Sequence, residues 1–422
     1  MSFCRRNTSS GLRRRRRLAF LGCVALKRRG RGGSIQRLYR ALVEPTGRPL
    51  LRAVIRATPV IVAVIFATAV LSSMGWLDRF ESAGLDALNI LQSPRDPSHV
   101  LLIGITDQDY REFFDETSPL DPTRLYEIIE AIAAGRPSLI GIDVDTSADV
   151  FRRFKTPPDW PPIVWGQDFE QVGEGVKTAP VLAGQPLRDT DRAGIAALPE
   201  DADGIVRRYL REFPTETGTA PALPWEIVQT AATLGMDDFR EVTAESRRGH
   251  AEKPLLLNFS GERYSFNPLS VRFVLQAARS AGWKQRGPLV GKVVVLGGCY
   301  RAARDTHITP VGKMSGLQLM AQAVESELGG GIRAFNHALE ILFDLVCGVL
   351  LVIIHHRFRL GTALLLSLIA IPVFCLLGSF VAFSTMARWF NFAPVILGVL
   401  IHQLYDHARQ YAKMHAQLTS HA

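Results

Sequence analysis

The chain is poor in the groups that staple small secreted domains or hold metals. Its 422 residues include five cysteines: Cys4, Cys23, Cys299, Cys347 and Cys375. No CxxC motif or clustered His/Cys set occurs among them, so zinc-site spacing is missing and no metal site is expected. Two cysteines lie in the N-terminal tail and two inside apolar runs. Cys299 alone belongs to the long polar middle, which therefore has no internal disulfide; a segment of that size builds a core without one. The GxxxxGK[ST] spacing of a phosphate loop is absent, and Gly297-Gly298 does not supply it. There is no internal repeat, no kinase dimerisation helix and no nucleotide lobe, so the three tail histidines His407, His415 and His421 are not read as phosphoacceptors. No cofactor is implied.

Acidic residues are nearly missing from the first 56 positions, where Glu44 faces sixteen Lys/Arg, a net charge of +15. The whole chain is +9, so residues 57–422 carry −6. The basic character belongs to the tail and says nothing about the rest. No aromatic residue interleaves the run Arg13–Arg17 and no folded nucleic-acid motif follows it. The tail reads as a membrane-adjacent polybasic segment, with no nucleic-acid partner expected.

Four apolar runs are present, over 57–77, 338–354, 360–383 and 389–404. Each is roughly 17–24 residues, enough for a bilayer core of about 30 Å. Lys/Arg bias places residues 1–56 in the cytoplasm. The predicted topology exports residues 78–337, returns through the second span to the basic loop His355–Arg359, and ends with 405–422 in the cytoplasm.

Within the exported segment, Val100–Thr106, Ser138–Val144 and Lys292–Leu296 are continuous apolar runs, the mark of strands buried on both faces. Helical spacing occurs at 85–92, 124–134, 225–234, 268–281 and 315–328. Weaker strands are expected at 163–165, 205–213 and 255–259, and residues 166–200 carry little periodicity. Strand, helix, strand within about 45 residues is a βαβ unit, so the fold class is α/β with a mostly parallel sheet covered by helices, plus four transmembrane helices.

These segments, in order, carry a resemblance: the LDAL helix at 85–88, VLLIGITDQDY, LIGIDV, DADGIVRR at 201–208, LLLNFSGE, LVGKVVVLGG, and RDTHITPVGKMSGLQLMAQAV at 304–324. Together they resemble the type-2 CHASE domain, an extracytoplasmic sensory module of bacterial receptors, from about Leu85 to Leu328. The chain departs from the family pattern at Met314-Ser315-Gly316, where Met-Pro-Gly is usual, and at Met320, where His is usual. Family receptors usually continue after the last span into an output domain; here about 18 residues follow it. The resemblance implies a membrane receptor for an unidentified periplasmic signal, working as a homodimer through a separate cytoplasmic output protein. The rival reading is a docking or assembly subunit for another exported protein.

Ligands of parallel α/β sheets bind beyond the carboxyl ends of the strands. Asp107, Asp143, Arg207, Asp305, Thr306 and Thr309 fall at or near such ends and form the candidate ligand set. The same residues cap turns through their own backbone, and Arg207 with Asp143 or Asp305 makes an internal ion pair in that alternative. Asp143-Val144-Asp145 imitates a metal-binding DxD, but pleat alone puts alternate residues on one face. Cys299, with His307 nearby in sequence, lacks a demonstrable base and oxyanion hole, and no enzyme activity is expected. In the second span, Glu340 and Asp344 share a helix face, with Asp344 roughly 9 Å in from the start. Asp344 is the candidate for transmembrane coupling, since ionisable groups in a bilayer face a bundle or a partner.

Overall fold

The computed structural model describes residues 50–92, 97–172, 175–216, 218–236, 254–259, 266–280, 282–328, 332–335, 337–358, 360–386, 388–389 and 392–420. The basic tail up to residue 49, and the Gly329–Gly331 stop expected after the last domain helix, lie outside them. The chain opens with helices α1 (Leu50–Ser73) and α2 (Asp78–Leu91), then β1 (Val100–Ile105), α3 (Asp107–Phe114), α4 (Pro122–Ala134), β2 (Leu139–Asp143) and β3 (Ile163–Gln167). A run of short strands follows: β4 (Phe169–Val172), β5 (Gly175–Thr178), β6 (Arg192–Ile195), β7 (Arg208–Tyr209), β8 (Glu212–Thr215) and β9 (Gly218–Pro221). Next come α5 (Leu223–Thr233), β10 (Leu255–Leu256), β11 (Leu269–Ser270), α6 (Val271–Ala277), α7 (Trp283–Arg286), β12 (Val293–Gly298), the hairpin β13 (Thr306–Thr309) and β14 (Gly312–Ser315), and α8 (Gly316–Leu328). The chain closes with β15 (Arg333–Ala334), α9 (His337–Arg357), α10 (Leu360–Met386), β16 (Arg388–Trp389) and α11 (Ala393–Ser420).

The main sheet has the order β11-β1-β12-β2-β3-β6, and every pairing in it is parallel. Its apolar strands explain themselves by pleat. In β1, Val100 and Leu102 join one core while Ile103 and Ile105 join the other; in β12, Val293 and Val295 part in the same way from Val294 and Leu296. Alternate side chains leave opposite faces, so a strand apolar throughout needs helices on both. One core is closed by Trp225, Ile227 and Val228 of α5 with Leu317, Met320 and Val324 of α8. The other is closed by Tyr110 and Phe114 of α3, Leu125, Ile128 and Ile132 of α4, and Val271 and Val274 of α6. Gly141 in β2 is where α5 comes closest: a Cβ there would sit 2.6 Å from Ile227 Cδ1.

The sequence reading changes in three places. Residues 166–200 contain three strands, and β4-β5-β8-β9 form a separate four-stranded sheet. The strand expected at 255–259 shortens to β10, which pairs antiparallel with β7 outside the main sheet. Asp107 and Asp109 open helix α3, closed by a capping box: the Asp109 N–H donates to Thr106 Oγ1 at 3.2 Å, and the Thr106 N–H donates to Asp109 Oδ2 at 3.0 Å.

Of the four expected spans, two are matched among the described residues by helices long and apolar enough to cross a membrane, Ala338–Arg357 and Gly361–Met386. The flanking helices carry shorter apolar stretches, Ala57–Ser72 and Val395–Tyr405. At 1.5 Å per residue these cover only about 24 and 17 Å. The chain ends α1 at Ser73 and spends Met74–Leu77 on a turn through Gly75 at φ +76°. At the other end Pro394 sits in the first turn of α11, which starts the helix four residues later than the apolar run and does not kink it. All four helices nonetheless pack together, α1 on α9 and α11, and α10 on α9 and α11. Their core includes Cys347, Leu351, Ile371, Cys375, Val395 and Val399.

Candidate functional site

Two groups of charged side chains stand out, one at the strand ends and one where the sheet module meets α2. At the strand ends, β2 finishes at Asp143 and the segment after β12 returns as the β13–β14 hairpin. Asp143 and Asp305, far apart in sequence, repel one another here. Gly316 lets the Asp305 carboxylate tuck against the start of α8, where a Cβ would fall 2.1 Å from Asp305 Oδ2. His307 Nε2–H donates to Asp305 Oδ1 at 2.9 Å, and its Nδ1 lies 3.4 Å from Glu200 Oε1. With a carboxylate at each ring nitrogen, the imidazolium is favoured; the hydrogen bond to Asp305 leads in raising the His307 pKa. Burial, then the negative Asp305, pushes Asp143 up to about 7, with His307 opposing. Cys299 Sγ lies 3.7 Å from Ser315 Oγ, and burial raises its pKa, which keeps it a thiol and a weak nucleophile.

The other candidates are placed differently. Asp107 accepts from the Arg301 N–H at 2.7 Å and ties the segment after β12 to α3. Thr306 is exposed on β13, and Thr309 is buried with its hydroxyl donating to Gly312 O at 2.6 Å, closing the hairpin. Asp145 accepts from the Ser147 N–H at 2.8 Å as a turn cap. Among the described residues no three His, Cys, Asp or Glu side chains form a group that could hold a metal ion. The strand-end cluster holds a proton near neutrality and presents carboxylates around one imidazolium, chemistry suited to a small polar or cationic group.

Arg207 pairs with neither Asp143 nor Asp305. It is 2% exposed, and every guanidinium nitrogen is engaged. Nε and Nη2 donate to Asp86 at 2.7 and 2.8 Å, and Nη1 and Nη2 donate to Asp203 at 2.9 and 2.8 Å. Nη1 also reaches Asp201 at 3.1 Å. Asp86 lies on α2, so this cluster bolts the helix that follows α1 to the 201–204 turn of the sheet module. The guanidinium holds Asp203 below the usual carboxylate range. A second buried set does the same at the exit: Arg211 donates to both Glu327 oxygens, at 2.7 and 2.8 Å, under the buried Tyr209, whose hydroxyl donates to Glu327. Glu327 is 1% exposed, at the end of α8. Asp86 and Glu327 escaped the sequence reading, because their partners lie more than a hundred positions away.

Asp344 lines a cavity of about 50 Å³ between α1, α9 and α11, with Thr68, Cys347, Gly348 and Gly398. It thus faces the bundle interior.

The strand-end cluster has a consequence for stability against pH. Asp143 titrates near 3.9 in an unfolded chain and near 7 in the fold. Through Asp143 the folded state therefore loses ground as pH rises from about 4 to about 7, by a few kcal/mol at most. His307, raised above about 6.5, acts with the same sign, its contribution being lost as pH rises through its folded value. Unfolding of the full chain in detergent should thus occur at lower temperature at pH 8 than at pH 5. Asp143→Asn should flatten that dependence, and an unchanged slope would show that Asp143 does not carry it.

The fold is a three-layer α/β module, fastened by the Arg207 cluster to α2, the helix that follows α1. The chain belongs to the CHASE2 domain family, whose model matches residues 60–354. CHASE2 is an extracytoplasmic sensory domain family, and the matched residues take in most of α1, α2, the sheet module and most of α9. No curated protein and no solved structure matches the chain.

Proposed function

We propose that this protein is a multi-pass receptor of a bacterial inner membrane, with both termini cytoplasmic, that performs no catalysis. Its sheet module detects a periplasmic signal at the Asp143–Asp305–His307 cluster and passes the change through the helix bundle to a separate cytoplasmic protein, working as a homodimer. The observation that carries this reading is the Arg207 cluster. It fastens α2, and through it the first membrane helix, to a turn two residues ahead of the isolated Ile205–Ile308 pairing with β13. The hairpin that holds His307 is thereby one backbone pairing away from the bolt. A change in proton or ligand occupancy has a short path to α1, and helix shifts of about 1–2 Å are a known form of such transmission.

On this reading α1 and α11 cross as well, which is supported by their packing on the two longer helices; their shorter apolar stretches would be met by local thinning of the bilayer. Fusions decide it. With four crossings the sheet module and the C-terminus lie on opposite sides; with α9 and α10 alone they lie on the same side. Alkaline phosphatase should be active when inserted between β8 and β9 and inactive after residue 422. Activity at both positions would overturn the four-crossing reading.

A further inference from the structure

Helix α2 has two apolar faces, and only one of them is packed. Leu85 and Leu88 are buried against Phe383, with Phe380 and Trp389 beside them, at the outer end of α10. A Cβ on Gly84 would meet the Phe392 ring at 2.5 Å, so the helix lies tight on the bundle. A second side carries Phe80, Ala83, Ala87 and Leu91, which at 100° per residue fall within about 80° of one another. Phe80 is 69% exposed and Leu91 64%; Trp76, in the turn before the helix, is 71% exposed and Ile90 57%. The nearby acids point elsewhere: Asp86 is held by Arg207, and Glu81 accepts from Ser72 Oγ at 2.9 Å.

This face continues a line already apolar on α1. Val62, Phe66 and Val70 are exposed there at a spacing of four, and the next step of four reaches Met74, also exposed. Trp76 in the same turn and Phe80 in the first turn of α2 come next in the chain, both exposed. Height agrees with this. The apolar part of α10 is 26 residues, about 39 Å against a bilayer core of about 30 Å, so its ends project into the headgroup layer. With the surplus of about 9 Å shared between its two ends, about one turn projects at each, and Phe383, on which α2 rests, lies at the edge of that turn.

We infer that α2 is an interfacial helix whose exposed face lies in the acyl–headgroup boundary of the outer leaflet. Phe80, Ile90 and Leu91 enter the lipid, Trp76 sits at headgroup level, and the flanking Arg79 reaches phosphate. Amphipathic helices with aromatic anchors take this position. The occupant is phospholipid and not a second copy of the chain, because the face follows directly in the chain on the exposed apolar stripe of α1 and belongs to a helix resting on the end of α10. The inference rests on the bundle being in a membrane, and the test separates the two.

The full chain is reconstituted in phosphatidylcholine vesicles with p-benzoylphenylalanine at Phe80, or at Trp76 as a second position. Leu365, 61% exposed on α10, reports the bundle, and Val150, 53% exposed, reports the sheet module. After irradiation, mass spectrometry reads lipid adducts. Phe80 and Trp76 should give adducts comparable to Leu365 and about tenfold above Val150. Adducts at the Val150 level, or adducts to a second copy of the chain, with Leu365 still labelling lipid, would overturn the interfacial helix alone. Absence of lipid adducts at Leu365 as well would overturn the membrane reading with it.

Discussion

Arg211→Met should cost the fold about 4–5 kcal/mol, the largest effect of any substitution considered for this chain. Removing the guanidinium leaves Glu327 charged at 1% exposure beside a fully buried Tyr209, and a buried charge stripped of its partner is far more costly than the pair is stabilising. The pair also supports packing, since the Arg211 guanidinium lies 4.8 Å over the Trp225 ring. Chemical denaturation of the full chain in detergent reads the loss. The double change Arg211→Met, Glu327→Leu should recover most of it, because no orphan charge then remains. If the double variant is as unstable as the single one, the cost comes from packing over Trp225 and not from the charge.

Arg207→Met is expected to cost less, about 3 kcal/mol, although the arginine has three carboxylate partners. The reason is exposure: Asp86, Asp201 and Asp203 side chains keep 21%, 18% and 45% of their surface in solvent, and so regain hydration. Arg207→Lys should fall between, because one ammonium cannot reproduce five hydrogen bonds from a planar fork. The loss should be local as well as global. Backbone amides of α2 should exchange with solvent faster in Arg207→Met than in the parent chain, while those of β1 and β12 stay protected. Equal acceleration in all three would mean that Arg207 supports the whole core and is not a bolt on α2.

The legible part of the fold was the part written in local pattern. β1, β2 and β12 announce themselves as apolar runs, α4 by its Leu125–Ile128–Ile132 spacing, and α8 by its place in the family block. The 166–200 region did not, because β4 is exposed along its whole length and β5 and β6 have four residues each. Short edge strands leave no period to read. Helix α3 carried a readable signal, Thr106-x-x-Asp109, ahead of Tyr110 and Phe114. At the strand ends, Asp143 and Asp305 were visible as positions, but that they meet depends on the order in which β12 and β2 pair. Arg207 was visible as a charge near a turn; Asp86, which fixes its role, lies 121 residues away. The extents of α1 and α11 were misjudged because hydropathy counts apolar residues that a turn or a helix start then withdraws from the span.

The proposed relay runs from the sheet module to a cytoplasmic protein through α11. Tyr411, 65% exposed near the end of that helix, is the place to ask. A photoreactive amino acid at Tyr411, irradiated in living cells, should trap one discrete cytoplasmic regulatory protein, with a yield that changes in the Arg207→Met background. Self-adducts alone, or no adduct, would contradict the relay and leave the sheet module as a docking surface for an exported partner.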